Sequence, residues 1–253
     1  MKPTINTFQK DEIWLEELED KYGLTPDVIK ETVVDAISKS LSKIFRCEVE
    51  AIWDGKGIEI YKFRDTLQGL EVQKLSLDVL KKNIFRAIRY EIARELSKKK
   101  VLAEYELTKD MTGTVVGGYV KEMSREKILV DIAGKGFTGV CYRSHQPPRE
   151  RGQYKRGGYY SFYVLRVEPV LINRIKPELE IRLSRTSKSL PEGLLQKELR
   201  DMGLDTKIKC RRRIAGAFSY ITTSQKIPKE AILFVSKELK ERIIVSYVRK
   251  EKK

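Results

Sequence analysis

Apolar side chains recur at helical spacing at both ends of this chain and at two-residue spacing through its middle. Ile13, Trp14, Leu15 and Leu18 lie among six carboxylates between Asp11 and Tyr22, and Gly23 follows as a C-cap, which predicts a short first helix after a polar residues 1–9 segment. Thr25-Pro-Asp27 then supplies an N-cap, a proline at the first helical position and an early acid. Ile29, Val33, Ile37, Leu41 and Ile44 continue at helical spacing and predict one amphipathic helix over 26–45. Cys47 to Ile52 and Gly57 to Phe63 read as a hairpin around Asp54-Gly-Lys-Gly57. After a poorly patterned stretch, Ser76 is positioned to cap a second long helix. Leu77, Leu80, Ile84, Ile88, Ile92 and Leu96 run down one side of it, and Lys98-Lys-Lys100 sits at its expected end.

From Met111 to Thr186 the period changes to two. Thr114 to Val116 opens a series of short strands, and Ile128, Val130 and Ile132 alternate with Leu129 and Asp131. Phe137 to Tyr142, Tyr159 to Val167 and Glu178 to Leu183 complete five strands within about seventy-five residues. No helical period strong enough for a crossover interrupts them, which fits a small antiparallel barrel of the OB type, whose open face takes up oligonucleotides. Gly134 and Gly136 flank Lys135 at a tight turn, and Gly139 lies mid-strand where the barrel must bend or admit a close approach. Beyond Thr186 the pattern predicts a linking helix over Leu190 to Met202, closed by Gly203. Strands follow at Thr206 to Arg213 and Ala217 to Ser224, then a helix at Pro228 to Lys240 and a strand at Arg242 to Val248. The whole is a multidomain α+β chain. Residues 1–104 are expected to form an α/β N-terminal domain, 105–187 a five-stranded OB β-barrel, and 188–253 a C-terminal α/β domain.

Charge sharpens this division. The chain of 253 residues has a net charge of +15, yet residues 1–104 hold 19 basic and 19 acidic side chains. The excess positive charge therefore lies entirely in the later residues, where a polyanion that releases counterions on neutralisation is the economical partner. The neutral front third calls for a different role. No run approaches eighteen apolar residues, so no membrane span is expected. There is no basic segment followed by an apolar block at the start, and Cys47, Cys141 and Cys210 are odd in number and lack metal-ligand spacing. Reduced cysteines in a cytoplasmic protein are the expectation, with no metal or cofactor.

Aromatic faces stack on bases, while Lys and Arg track phosphates. In the barrel the candidates for RNA contact are Tyr119, Lys135, Phe137, Tyr142, Arg143 and His145, joined by Lys155, Arg156 and Arg185. For Phe137, a place in the barrel core weighs equally. In the C-terminal part they are Arg211, Arg212, Arg213, Lys226 and Lys229, for which an ordinary surface cation is an equal alternative.

The run from Thr112 to Leu195 resembles the central module of the NusA family of bacterial transcription termination and antitermination factors. The residues that carry the resemblance are Gly113-Thr-Val115, Ile128-Leu-Val-Asp-Ile-Ala-Gly134, Pro147-Pro-Arg-Glu-Arg-Gly-Gln-Tyr-Lys-Arg-Gly157 and Tyr163-Val-Leu-Arg-Val167. Ile181-Arg-Leu-Ser-Arg-Thr186 followed by Leu194-Leu195 is the most specific piece. Before this module, the order helix, helix, hairpin, long helix resembles the family's N-terminal domain. After it, strand, strand, helix, strand with Ser236-Lys-Glu-Leu-Lys-Glu-Arg-Ile-Ile-Val245 resembles its first KH domain. The resemblance implies RNA polymerase as a partner through residues 1–104 and nascent single-stranded RNA as a partner of the remainder. It implies a role in pausing, termination or antitermination, and a monomer is expected.

One departure is clear. A KH domain clamps nucleic-acid backbone with a Gly-X-X-Gly loop, whereas the loop here reads Gln225-Lys-Ile-Pro-Lys229. The clamp is not carried over. The family also continues into a second KH domain, and a shortened relative or a fragment would each account for this sequence.

Enzymatic readings are weaker. Gly134-Lys-Gly-Phe-Thr-Gly139 matches the dinucleotide-binding glycine pattern, but Val140-Cys-Tyr142 continues as strand where that site needs a helix. His145 is the single histidine, and no tight carboxylate pair falls at a strand end. The expectation is a non-enzymatic protein. The alternatives are a ribosome- or messenger-associated RNA-binding protein without polymerase contact and, behind it, an RNA-processing enzyme.

Overall fold

Thr25, in extended conformation (φ −69°, ψ 151°), hands the chain to α2, which spans Pro26–Phe45 with proline in its first turn. The structure, a computed structural model, describes residues 12–54, 57–67, 69–76, 80–173 and 175–247. The expected roles of Asp11, of Gly55 and Lys56, of Leu77 and of Val248 lie outside the described residues, as do the side chains of Ile13 and Trp14. The helix before α2, α1 (Glu12–Tyr22), closes at Gly23, whose φ of +63° is the left-handed conformation a glycine C-cap adopts.

In the first compact unit, Met1–Glu106 with Pro169–Glu178, α2 buries Ile29, Val33, Ala36, Ile37 and Leu41. They pack against Val49 and Ala51 of β1 (Val49–Trp53) and Ile60 of β2 (Ile58–Thr66). These strands form the expected antiparallel hairpin, with Val49 opposite Lys62 and Trp53 opposite Ile58. A third strand, β3 (Gly69–Leu75), pairs antiparallel with β2 where the sequence showed little pattern. Its Leu70 and Val72 are exposed, so the β2 ladder holds it rather than burial, and no two-residue period is imposed.

The long helix also differs from expectation. Its span, α3, is Lys82–Thr108, beginning later than Ser76 and running past Lys98-Lys-Lys100. Lys98 pairs with Glu95 at 2.6 Å and Lys100 with Glu104 at 3.9 Å, so these cations are neutralised one turn away, inside the helix rather than at its end.

The second unit comprises Leu107–Glu168 and Leu179–Lys253. Five strands, β4 (Val115–Met123), β5 (Lys127–Ile132), β6 (Thr138–Tyr142), β7 (Tyr159–Ile172) and β8 (Lys176–Ser184), close on themselves in the order β4-β5-β6-β8-β7. β4 pairs antiparallel with β5 and with β7, β5 pairs antiparallel with β6, and β6 pairs parallel with β8. The alternation read in the sequence becomes the inside of this ring, where Ile128, Val130 and Ile132 are buried, as are Cys141, Phe162, Val164 and Ile181 of the neighbouring strands. At Gly139, an added Cβ would stand 2.5 Å from Leu183 Cδ1, so glycine there admits a neighbour's side chain. β7 runs longer than expected because its outer end carries Leu171 and Ile172 exposed, outside the ring's two-residue burial pattern, and β8 begins two residues earlier, at Lys176.

The rest of this unit is α4 (Ser189–Asp201), β9 (Ile208–Ile214), β10 (Phe218–Thr223), α5 (Lys229–Leu239) and β11 (Arg242–Tyr247). The sheet order is β11-β10-β9, with β10 antiparallel to β9 and parallel to β11. Leu190, Leu194, Leu195 and Leu199 of α4 and Ala231, Val235 and Leu239 of α5 share its core with Ile208, Cys210 and Ile221. The chain is therefore a mixed α+β, multi-sheet protein.

Candidate nucleic-acid interface

The pleat that buries Ile128, Val130 and Ile132 turns Lys127, Leu129 and Asp131 outward on β5. Across the ladder these stand opposite Tyr142, Val140 and Thr138 of β6. Two groups of aromatic and basic residues lie at the two ends of this outer surface. Along β6 they are separated by about four residues, roughly 13 Å at strand rise.

At one end, Tyr119 of β4 pairs across the sheet with Tyr159 of β7. Both rings are half exposed (50% and 51%) and meet edge to face, with centroids 5.1 Å apart. Tyr159 lies across Gly117, where a Cβ would come within 1.8 Å of its hydroxyl oxygen. The Gly117 carbonyl accepts the Ala133 N–H at 3.0 Å, which brings the β5–β6 turn to this end. That turn presents exposed Lys135 between Gly134 and Gly136, both at φ near +70°, and half-buried Phe137. Lys155 and Arg156, both exposed, belong to a loop tied to β4 by the bond from Gly157 N to Val120 O (2.8 Å).

At the other end, Tyr142 donates its hydroxyl proton to Glu180 Oε2 at 2.6 Å, and the Arg182 guanidinium lies 5.4 Å from its ring centroid. Arg182 also binds Glu180 and approaches Glu168 at 3.6 Å. The hydrogen bond to Glu180 raises the Tyr142 phenol above its ordinary value. Burial would raise the Glu180 carboxyl, but the bonds from Tyr142 and Arg182 outweigh it and hold the group below the usual carboxylate range. Tyr142 is thus partly committed to holding Arg182 in place. Arg143 is exposed at the strand end, where its N–H meets Glu126 O at 2.6 Å.

His145 closes this end, half-buried. Burial first, then the positive charges of Arg182 and Arg166, push its pKa down. The imidazole is therefore largely neutral at pH 7 and does not add a cation to this end. Because folding disfavours the imidazolium, the His145 contribution to stability is complete above about pH 6.5 and shrinks as pH falls through the lowered value. A proton NMR titration of the single histidine is expected to give a midpoint below 6.5, and a midpoint above 7 would overturn this assignment.

Two sequence candidates are corrected. Arg185 is 1% exposed, and its guanidinium grips Glu150 with two bonds (2.6 and 2.7 Å), the Ser161 carbonyl at 2.8 Å and Glu238 at 3.2 Å. Buried and fully partnered, it is a structural cation that ties β7 and β8 to α5 and does not reach RNA. Arg213 likewise is held by Glu241 at 3.0 Å, with both side chains almost wholly buried.

Arg211, Arg212, Lys226 and Lys229 are exposed. The Gln225–Lys229 loop is anchored by Ile227, 2% exposed in the core, so it lacks the bare backbone a glycine clamp offers. Tyr159 and Arg182 were missed as candidates. The signal was present, since Tyr159 and Arg182 alternate with the buried residues Phe162 and Val164 and Ile181 and Leu183 respectively. Among the described residues no cluster of His, Cys, Asp and Glu is arranged to hold a metal ion. Burial pushes the Cys141 thiol up to about 12, which leaves it unreactive. No helix among the described residues is long and apolar enough to cross a membrane.

No protein-family model matches the chain, and no curated protein matches it. Among solved structures, a multidomain protein with nucleic acid binding domains from Streptococcus pneumoniae TIGR4 aligns with 10% identity and a TM-score of 0.25. The alignment covers 60% of this chain and 45% of that one. So loose an alignment decides neither fold nor function, and this chain spans less than half the length of that protein.

Proposed function

We propose that this chain is a non-enzymatic, cytoplasmic RNA-binding transcription factor of NusA type, monomeric, with its closed sheet acting as an OB module. The observation that carries this reading is the sheet itself. Five strands close in the order β4-β5-β6-β8-β7 and carry Tyr119, Tyr159, Tyr142 and Arg182 on their outer surface, with Lys135 and Lys155 exposed in the adjoining turn and loop. Stacking rings beside cations suit single-stranded RNA, which unstacked bases and a phosphate backbone make readable without a fixed sequence. The sheet β11-β10-β9 with α5 would serve as a KH-like element without its glycine clamp, contributing Arg211, Arg212, Lys226 and Lys229 as phosphate contacts. The charge-neutral front unit would dock on RNA polymerase, and that tether would raise the local concentration of nascent RNA so that weak contacts suffice.

The test combines two measurements on the full chain. Binding to a fluorescent single-stranded RNA should weaken steeply between 50 and 200 mM salt, as counterion release requires (about 0.7 per phosphate contact on a log–log slope). Immobilised RNA polymerase should retain the chain. RNA binding without polymerase retention, together with co-sedimentation with ribosomes, would replace this reading with a messenger- or ribosome-bound protein. Absence of RNA binding at 50 mM salt would remove it altogether.

A further inference from the structure

Unit one, although neutral in sum, is not uniform in charge. Lys82, Phe85, Arg86, Arg89 and Tyr90 line a concavity of about 450 Å³ along one side of α3. Their spacing, three to four residues apart, places them on one helical face. Lys82, Arg86, Arg89 and Tyr90 are exposed, and Lys81 adjoins them. Among the described residues none of these four cations has a carboxylate partner, although the same helix pairs its later cations closely. Arg94 reaches Glu91 at 2.7 Å and Lys98 reaches Glu95 at 2.6 Å. Four unneutralised cations within nine residues repel one another, and an external polyanion relieves that repulsion.

We propose that this face of α3 is a second binding site for single-stranded RNA, separate from the closed sheet. Lys82, Arg86 and Arg89 are staggered along roughly 10 Å of helix, a reach suited to consecutive backbone phosphates. Tyr90, 55% exposed, offers its ring to a base beside them. An acidic helix from another protein would need an apolar stripe to pack upon, and here Tyr90 is the sole large exposed apolar side chain lining the concavity. The site rests on the reading that RNA is the ligand of this chain, and adds a contact which that reading does not assign to the front unit.

The experiment uses the full chain and a thirty-nucleotide single-stranded RNA. Lys82→Gln, Arg86→Gln and Arg89→Gln combined are expected to weaken binding at least tenfold and to lower the log–log salt slope by about 2. Helical circular dichroism should be unchanged, since the three side chains are exposed. Ultraviolet crosslinking of the unaltered chain should yield an RNA-bearing peptide that contains Tyr90, a result that needs no variant. If the unaltered chain binds RNA while the triple variant keeps its affinity and slope and no such peptide appears, the second site is refuted and the closed-sheet reading stands. If the unaltered chain binds no RNA, both fall together.

Discussion

Arg185→Met is expected to cost about 3–5 kcal/mol of unfolding free energy, the largest stability effect foreseen for any single change. The guanidinium is 1% exposed and meets both Glu150 oxygens, the Ser161 carbonyl and Glu238. Its removal strands a carboxylate that is itself buried and already accepts the Tyr154 hydroxyl at 2.7 Å. An uncompensated buried charge is the costly part, because the pair as a whole balances its own desolvation only while both members are present. Arg185→Lys should not rescue the loss, since an ammonium cannot make the paired bonds to Glu150. Arg185→Met combined with Glu150→Leu should recover much of it. Urea unfolding of the three variants checks this, and a single variant within 1 kcal/mol of the parent would show that the network contributes little.

The largest effect on binding is expected from Tyr119→Ala combined with Tyr159→Ala. Base stacking on an aromatic side chain is worth about 1–3 kcal/mol per base, so losing this pair, taken as the seat of one base, should weaken single-stranded RNA binding by about 5- to 150-fold. The salt slope should hardly change, because no phosphate contact is removed. That combination, lower affinity at constant slope, separates stacking from charge. Both rings are half exposed, so the fold should persist. Unchanged affinity would mean that the RNA does not stack on this pair. Tyr142→Ala is harder to interpret, because the Tyr142 hydroxyl also holds Glu180 and through it Arg182.

Much of the architecture was legible because burial imposes a period. α2 was read at its observed limits, Pro26–Phe45, from five apolar residues and a proline-bearing start. The inward residues of β5, Ile128, Val130 and Ile132, were likewise visible. What escaped notice was structure that burial does not enforce. β3 is exposed over nearly its whole length and is held by hydrogen bonds to β2. The end of α3 was hidden because three lysines resemble a helix terminus unless Glu95 and Glu104 are recognised as partners of Lys98 and Lys100.

The site was legible as a composition but not as an arrangement. Sequence marks Arg185 and Arg213 as cations, and only the fold shows each sealed against a carboxylate. Conversely, Tyr159 became prominent because the cross-strand register sets it beside Tyr119, a relation between residues forty positions apart.

Gly117 gives this pairing an unusual handle. The atom that a methyl group would strike is the far end of a flexible side chain, so alanine at 117 should be tolerated by the backbone while tilting the phenol away from its neighbour. Ring orientation can thereby be varied with the number of rings held constant. Shape and chemistry, which most substitutions on a binding surface alter together, are separable at this one position.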